Sequence, residues 1–237
     1  MIDRQKFFDG VRASLFGGKL SQSQVDGMNY LIDVWERYFE KPNPRDGAKW
    51  LAYCMATVFH ETGKKMTPVP EVGKGKGYAY GKPAGPYNQT YYGRGHVQLT
   101  WEDNYKKGQD QLKKNYQVDV PIWPQPDLML KDEPSALVLY DGMTIGWFTG
   151  VGLSKYFNAS TEDPVNARRI VNGTDQAQTI AGYYQKFKAA IATAPAPTPA
   201  PSPEPEPTPP TSPPIVSIFS DTPVVLRLGI NVTVEKP

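Results

Sequence analysis

The chain of 237 residues has a single cysteine, Cys54, and only two histidines, His60 and His96. One thiol excludes a disulfide framework and any cysteine-rich zinc site. A zinc-protease helix needs histidines at i and i+4, but His60-Glu61 is followed by Thr62, Gly63 and Lys64, and two histidines cannot build a three-histidine site. No metal is therefore expected. No apolar run approaches the roughly 20 residues that span a bilayer. The N-terminal stretch has scattered charges and lacks the continuous apolar segment of a secretory signal, so neither a transmembrane segment nor a signal peptide is expected. Excess charge is also scarce. The 26 Lys+Arg nearly cancel the 24 Asp+Glu, leaving a formal +2, too little to argue a nucleic-acid partner.

Proline is plentiful, and it is unevenly spread. Eleven of the 24 prolines fall in residues 193–214, a stretch without glycine or aromatic side chains. Such a segment cannot bury a core and reads as a disordered, extended polyproline spacer. The expected organisation is a body at 1–192, a Pro-rich linker at 193–214 and a short tail at 215–237. Runs of β-branched residues in the tail suggest two short strands.

The body reads as mainly α-helical. Phe7, Phe8, Val11 and Leu15 recur at helical spacing before Gly17-Gly18. Ser21 or Ser23 suits the cap of a second helix with Val25, Met28, Leu31, Ile32 and Trp35 on one face, ended by Pro42 and Pro44. A third helix is expected over about residues 47–62, with Gly63 placed as its C-cap. From 64 to 92 the periodicity gives way to a Gly-, Pro- and Lys-rich segment, and long ordered loops of this kind often carry function. Helical spacing returns at 135–146, about 165–170 and 177–191.

Among reactive groups, Cys54 lies on the apolar face of the third helix beside Trp50, Leu51, Val58 and Phe59 and reads as a small core hydrophobe. The carboxylates are more suggestive. Glu61 falls in the last turn of its helix, at the negative end of the macrodipole, a setting that suits a group that must carry a proton. Glu71 lies ten residues on, stiffened by Pro68 and Pro70 and surrounded in sequence by Lys64, Lys65, Lys74 and Lys76, a setting that suits a proton acceptor. Two carboxylates in contrasting environments form the acid/base pair of glycosidic cleavage. Tyr78, Tyr80, Tyr87, Tyr91, Tyr92, Trp101 and Tyr105 crowd the same region among glycines and amides, as a sugar-binding groove requires.

Phe59-His60-Glu61-Thr62-Gly63, the block Tyr91-Tyr92-Gly93-Arg94-Gly95-His96-Val97-Gln98-Leu99-Thr100-Trp101, and Asn104-Tyr105 resemble the signature of family 19 glycoside hydrolases, the chitinases and lysozyme-like endolysins. Gly146-Trp147-Phe148-Thr149-Gly150, the Asn172-Gly173 segment and Gly182-Tyr183-Tyr184 extend the resemblance in the family's order over residues 48–187. The resemblance implies a two-lobed lysozyme-like fold with a central cleft and long irregular loops. It also implies inverting hydrolysis of β-1,4 bonds in N-acetylhexosamine polymers, without metal or cofactor. Glu61 matches the family's general acid, and Glu71 is the nearest match to its second carboxylate. Thr100 and Asn104 match positions that place the water and the acetamido sugar, and Asn172 a late asparagine on the substrate side. His60, Tyr92, Arg94 and Gln98 complete the implied substrate-binding set. The family's plant members have an arginine in the final helix that pairs with the catalytic carboxylates; Ile180 stands there here, leaving Arg168 or Arg169 as substitutes. The absence of the plant-type disulfides points to endolysin-type relatives. The expectation is then a monomer, made in the cytoplasm, that reaches peptidoglycan or chitin after release. A glycan-binding protein that no longer cuts is the alternative.

Overall fold

The computed structural model describes residues 2–40 and 46–192. Pro42 and Pro44, the spacer and the tail lie outside the described residues. Among the described residues six α-helices carry the body: α1 Arg4–Ser14, α2 Gln22–Tyr38, α3 Gly47–Glu61, α4 Glu102–Tyr116, α5 Asp132–Ile145 and α6 Ala177–Ala192. The only sheet among the described residues is two short antiparallel strands, β1 Val69–Pro70 and β2 Arg94–Gly95.

Local signals set several boundaries. Ser21 caps α2: its side chain accepts from the Gln24 N–H, and the Gln24 side chain returns to the Ser21 N–H, closing a capping box. Gly63 takes the left-handed conformation (φ 57°) just past α3. Lys64 N–H bonds Phe59 O at 2.8 Å and Gly63 N–H bonds His60 O at 3.1 Å. These two bonds form a Schellman closure, which stops the helix at a defined residue. Gly146 (φ 82°) ends α5 in the same hand.

Sequence periodicity finds α1, α2, α3, α5 and α6 but passes over α4. That helix buries only Tyr105, Gly108 and Leu112 and, up to the half-buried Tyr116 at its end, is otherwise charged or amide-bearing, so its apolar stripe is too thin to see. The helical spacing near 165–170 becomes a 3-10 turn at Asn166–Ile170.

Helix α3 is buried along its whole length from Trp50 to Phe59, not on one face only. Helices α1 and α6 pack together with α3 on one side, while α2, α4 and α5 form the other group, with α5 touching α3 and β2. Trp35 meets Tyr140 edge-on at 5.1 Å, and Tyr140 Oη donates to Leu31 O, tying α2 to α5. Trp50 Nε1 donates to Phe157 O, and Tyr53 packs on Phe157 and Tyr184, tying α3 to the segment before α6. Cys54 sits inside this core, and burial pushes its thiol far up, away from the thiolate a nucleophile needs.

The core also holds a buried carboxylate. Asp141 of α5 is fully buried and accepts from Trp147 Nε1 at 2.8 Å, Tyr116 Oη at 2.7 Å and Asn115 Nδ2 at 3.1 Å. Asp141→Leu leaves Trp147 Nε1 and Tyr116 Oη without their acceptor, while Asn115 keeps Gln111 Oε1, and is expected to destabilise the protein by about 3 kcal/mol. Urea unfolding of the variant measures the loss, and an unchanged midpoint would contradict it.

Candidate active site

Because α3 is sheathed by the core and closed by the Gly63 motif, its last residue is held at a fixed place. That residue is Glu61. Its carboxylate is 17% exposed, and Oε1 receives Arg168 Nη1 at 2.7 Å. Arg168 is itself 4% exposed and spends its Nε on Asp175 O. The 3-10 turn that bears it is clipped by Thr149 Oγ1, which donates to Arg169 O and Ile170 O. Of the two arginines left open by the sequence, the structure brings Arg168 to the acid and turns Arg169 outward. Ile180 is fully buried, so α6 offers no charge at its own position.

Glu61 opens into a cleft of about 370 Å³ that it shares with Gln98, Thr100, Trp101, Asn104 and Asn172, against apolar walls from Val97, Leu99, Phe148 and Val171. The hydrogen bonds within this wall decide what each group offers a ligand. Thr100 Oγ1 donates its proton to Gln98 O, which leaves the hydroxyl free to accept. Asn104 Nδ2 donates to Thr100 O, which leaves its Oδ1 to accept. Asn172 Oδ1 takes the Gly173 N–H, which leaves its Nδ2 to donate. Gln98 commits Nε2 to Val69 O and Gly95 O and keeps Oε1. Amide donors and several acceptors around a half-apolar wall match a neutral, hydroxyl- and amide-bearing ligand.

Glu71 does not line that cleft. It follows β1, and its N–H bonds Gly93 O at 2.7 Å, continuing the ladder. Its carboxylate accepts Tyr80 Oη at 3.0 Å on Oε1 and Gly93 N–H at 3.1 Å on Oε2. The expected lysine surroundings are replaced by these two neutral donors; among the described residues Glu71 forms no ion pair. Gly93 connects the two places. A Cβ there would meet Gln98 Oε1 at 3.1 Å and Thr100 Oγ1 at 3.2 Å, so the residue holding Glu71 backs directly onto the cleft wall.

The structure places other residues named from the sequence elsewhere. Arg94 is 3% exposed and fully engaged with Asp127, Thr90 O, Tyr92 O and Tyr105 Oη, while its guanidinium lies 3.5 Å from the centre of the Tyr92 ring. Arg94 and Tyr92 thus brace the loop from inside and do not line the cleft. His60 is half-buried one residue before the acid, also outside the cleft lining. His96 is buried. Its N–H donates to Ser135 Oγ and its Nδ1 faces the same hydroxyl at 2.8 Å; burial pushes the imidazole down to about 3, so it stays neutral. Trp101, one of the groove aromatics expected from the sequence, lines the cleft, and Phe148 joins it although it is not among those groove aromatics. Their signal in the sequence was membership of conspicuous aromatic blocks.

A mainly helical frame in which a central helix delivers a carboxylate to a polar cleft is a lysozyme-like fold. Among solved structures the chain is similar to chitinase C from Streptomyces griseus HUT6037, with a TM-score of 0.52 and 21% identity over 81% of this chain and 78% of that one. A family 19, class IV chitinase from Zea mays gives a TM-score of 0.48 at 19% identity, covering 81% of this chain and 93% of that one. In sequence, the chain is 25% identical over 207 residues to an acidic endochitinase of Dioscorea japonica, covering 81% of this chain and 78% of the endochitinase. No family model matches the chain. The fold is the chitinase fold, in agreement with the family 19 resemblance carried by the Glu61 and Gln98–Thr100 blocks.

Proposed function

We propose that the protein is a glycoside hydrolase that cuts β-1,4 bonds of N-acetylhexosamine polymers, with chitin as the first substrate to consider. The observation that carries this reading is a single cleft in which Glu61, oriented by a buried arginine, meets Thr100, Asn104 and Asn172. With Oε1 held by Arg168, Oε2 is the oxygen left to protonate the departing glycosidic oxygen. The guanidinium then lies beside the carboxylate that proton transfer creates. Asn172 Nδ2 and Asn104 Oδ1 suit the carbonyl and N–H of an acetamido group.

Inversion needs a water on the opposite face of the sugar and a second carboxylate about 6.5–9.5 Å from the first. Glu71 is the candidate base. Its two donors fix its orientation, and its anchor, Gly93, stands against the Thr100 hydroxyl that would hold the water. Atoms balance simply: water adds to the anomeric carbon and yields its proton to Glu71, while Glu61 gives its proton to the leaving oxygen.

Turnover of chitin oligosaccharides followed by proton NMR tests the assignment. The first product is expected as the α-anomer, the inverted hand. An initial β-anomer would replace the mechanism. Release of reducing ends from purified cell wall but not from chitin would move the substrate to peptidoglycan, which shares the N-acetylglucosamine unit. Binding of both polymers without any release would leave a lectin.

A further inference from the structure

We propose that Trp101, Tyr80 and Tyr78 form a second sugar-stacking surface that carries the polymer beyond the cleft. This rests on the glycan reading above and extends it to a site outside the reacting residues. Among the described residues, the exposed large apolar side chains are Val72, Tyr78, Tyr87, Trp101 and Ile145, and all but Ile145 belong to the segment between α3 and α4. Single exposed aromatics are ordinary. A fixed row of them, starting in a cleft wall, is not.

The row is continuous. Trp101 lines the cleft and is 51% exposed. The Tyr80 ring meets it edge-on at 5.1 Å and 80°, and Tyr78, 60% exposed, lies parallel to Tyr80 at 5.1 Å and 5°. The backbone locks the order: Trp101 N–H bonds Tyr91 O at 2.9 Å, and Tyr91 N–H bonds Tyr80 O at 3.0 Å. Trp101 is held at φ 76° and ψ 138°, a conformation that side-chain-bearing residues rarely adopt and that stores about 1–3 kcal/mol of strain. Gly75, at φ 71°, leaves room for the Tyr80 ring, since a Cβ there would lie 2.9 Å from two of its carbons. Tyr80 is pinned at its far end by the hydrogen bond to Glu71.

Trp101 and Tyr80 are therefore held in place before any ligand arrives, and Tyr78 stacks on Tyr80, so ordering the row costs a ligand little. The exposed Trp101 and the face of Tyr78 turned away from Tyr80 present π-clouds of the kind on which the axial C–H faces of pyranose rings stack. A chain of β-1,4-linked hexosamines leaving the cleft past Trp101 then follows the row by Tyr80 to Tyr78. The hydroxyl of Tyr78 has no protein partner among the described residues, so its loss disturbs no bond within the fold.

Binding is measured by calorimetry on the full chain with Glu61→Gln as background, using chitotriose and chitohexaose. Tyr78→Ala is expected to raise the Kd for the hexamer about 3- to 10-fold and that for the trimer less than about two-fold, the size of one aromatic contact. Tyr78→Phe, which keeps the ring, is expected to restore hexamer affinity. Equal effects on both oligomers, or none on the hexamer, would overturn the stacking surface while leaving the cleft reading intact. If the background protein with Tyr78 in place binds neither oligomer, the glycan reading falls, and the stacking surface with it.

Discussion

Glu61→Gln is expected to lower kcat on chitin oligosaccharides by about 10²- to 10⁴-fold, the contribution of a positioned general acid. The substitution keeps size and shape. The amide oxygen still accepts from Arg168 Nη1, so the buried guanidinium, 4% exposed, retains a partner. What is lost is the transferable proton. Binding of substrate and thermal stability are expected to stay close to those of the unaltered protein. Glu61→Ala separates chemistry from support, because it removes the acceptor as well as the charge and leaves the Arg168 Nη1 donor with no side-chain partner at this position. Breaking a buried pair from one side costs about 3 kcal/mol even with one partner partly solvated. Paired melting curves and initial rates on the two variants check both statements. A Gln variant with most of its activity would remove Glu61 from the role of acid.

Glu71→Gln is expected to lower kcat by about 10²-fold or more, since a base positioned on the attacking water contributes on that scale. The amide can be accommodated in place. Its oxygen accepts from Gly93 N–H, and its NH₂ donates to Tyr80 Oη, which accepts as readily as it donates. The fold around β1 and β2 is thus preserved, and the lost function is proton acceptance. Azide supplies the discriminating readout. As a small nucleophile that needs no deprotonation, it is expected to restore turnover in Glu71→Gln, giving a glycosyl azide, and to do nothing for Glu61→Gln. An active Glu71→Gln enzyme, or one that azide does not rescue, would shift the base to another group.

Much of this site lies close in sequence, and that part is legible without coordinates. Glu61 and its helix-ending Gly63 are two residues apart, and the left-handed turn that only glycine adopts cheaply shows in the residue type. Thr100 and Asn104 stand one helical turn apart at the start of α4 and meet through Asn104 Nδ2 and Thr100 O. The aromatic crowding of 78–105 likewise announces a surface, though not its order. Arg94 shows the limit of such reading. Its place in a dense motif suggests ligand contact, but the choice between cleft and core depends on Asp127, Tyr105 and the packing of the 3-10 turn at Pro126–Leu130.

The sequence by itself determined the helical character of the body, the end of α3 within a residue through Gly63, the core role of Cys54 and the candidate acid. Each of these follows from short-range physics: apolar periodicity, a capping glycine, and a thiol on an apolar face. The tertiary structure alone decided the partners. Arg168 reaches Glu61 across 107 residues of chain, Glu71 finds Tyr80 and Gly93 in place of lysines, and α4 forms on a stripe too thin to predict. Hydrogen bonds and ion pairs act over about 3 Å. Which groups come that close is set by how α3, α5 and α6 pack, and no local spacing in the chain encodes it.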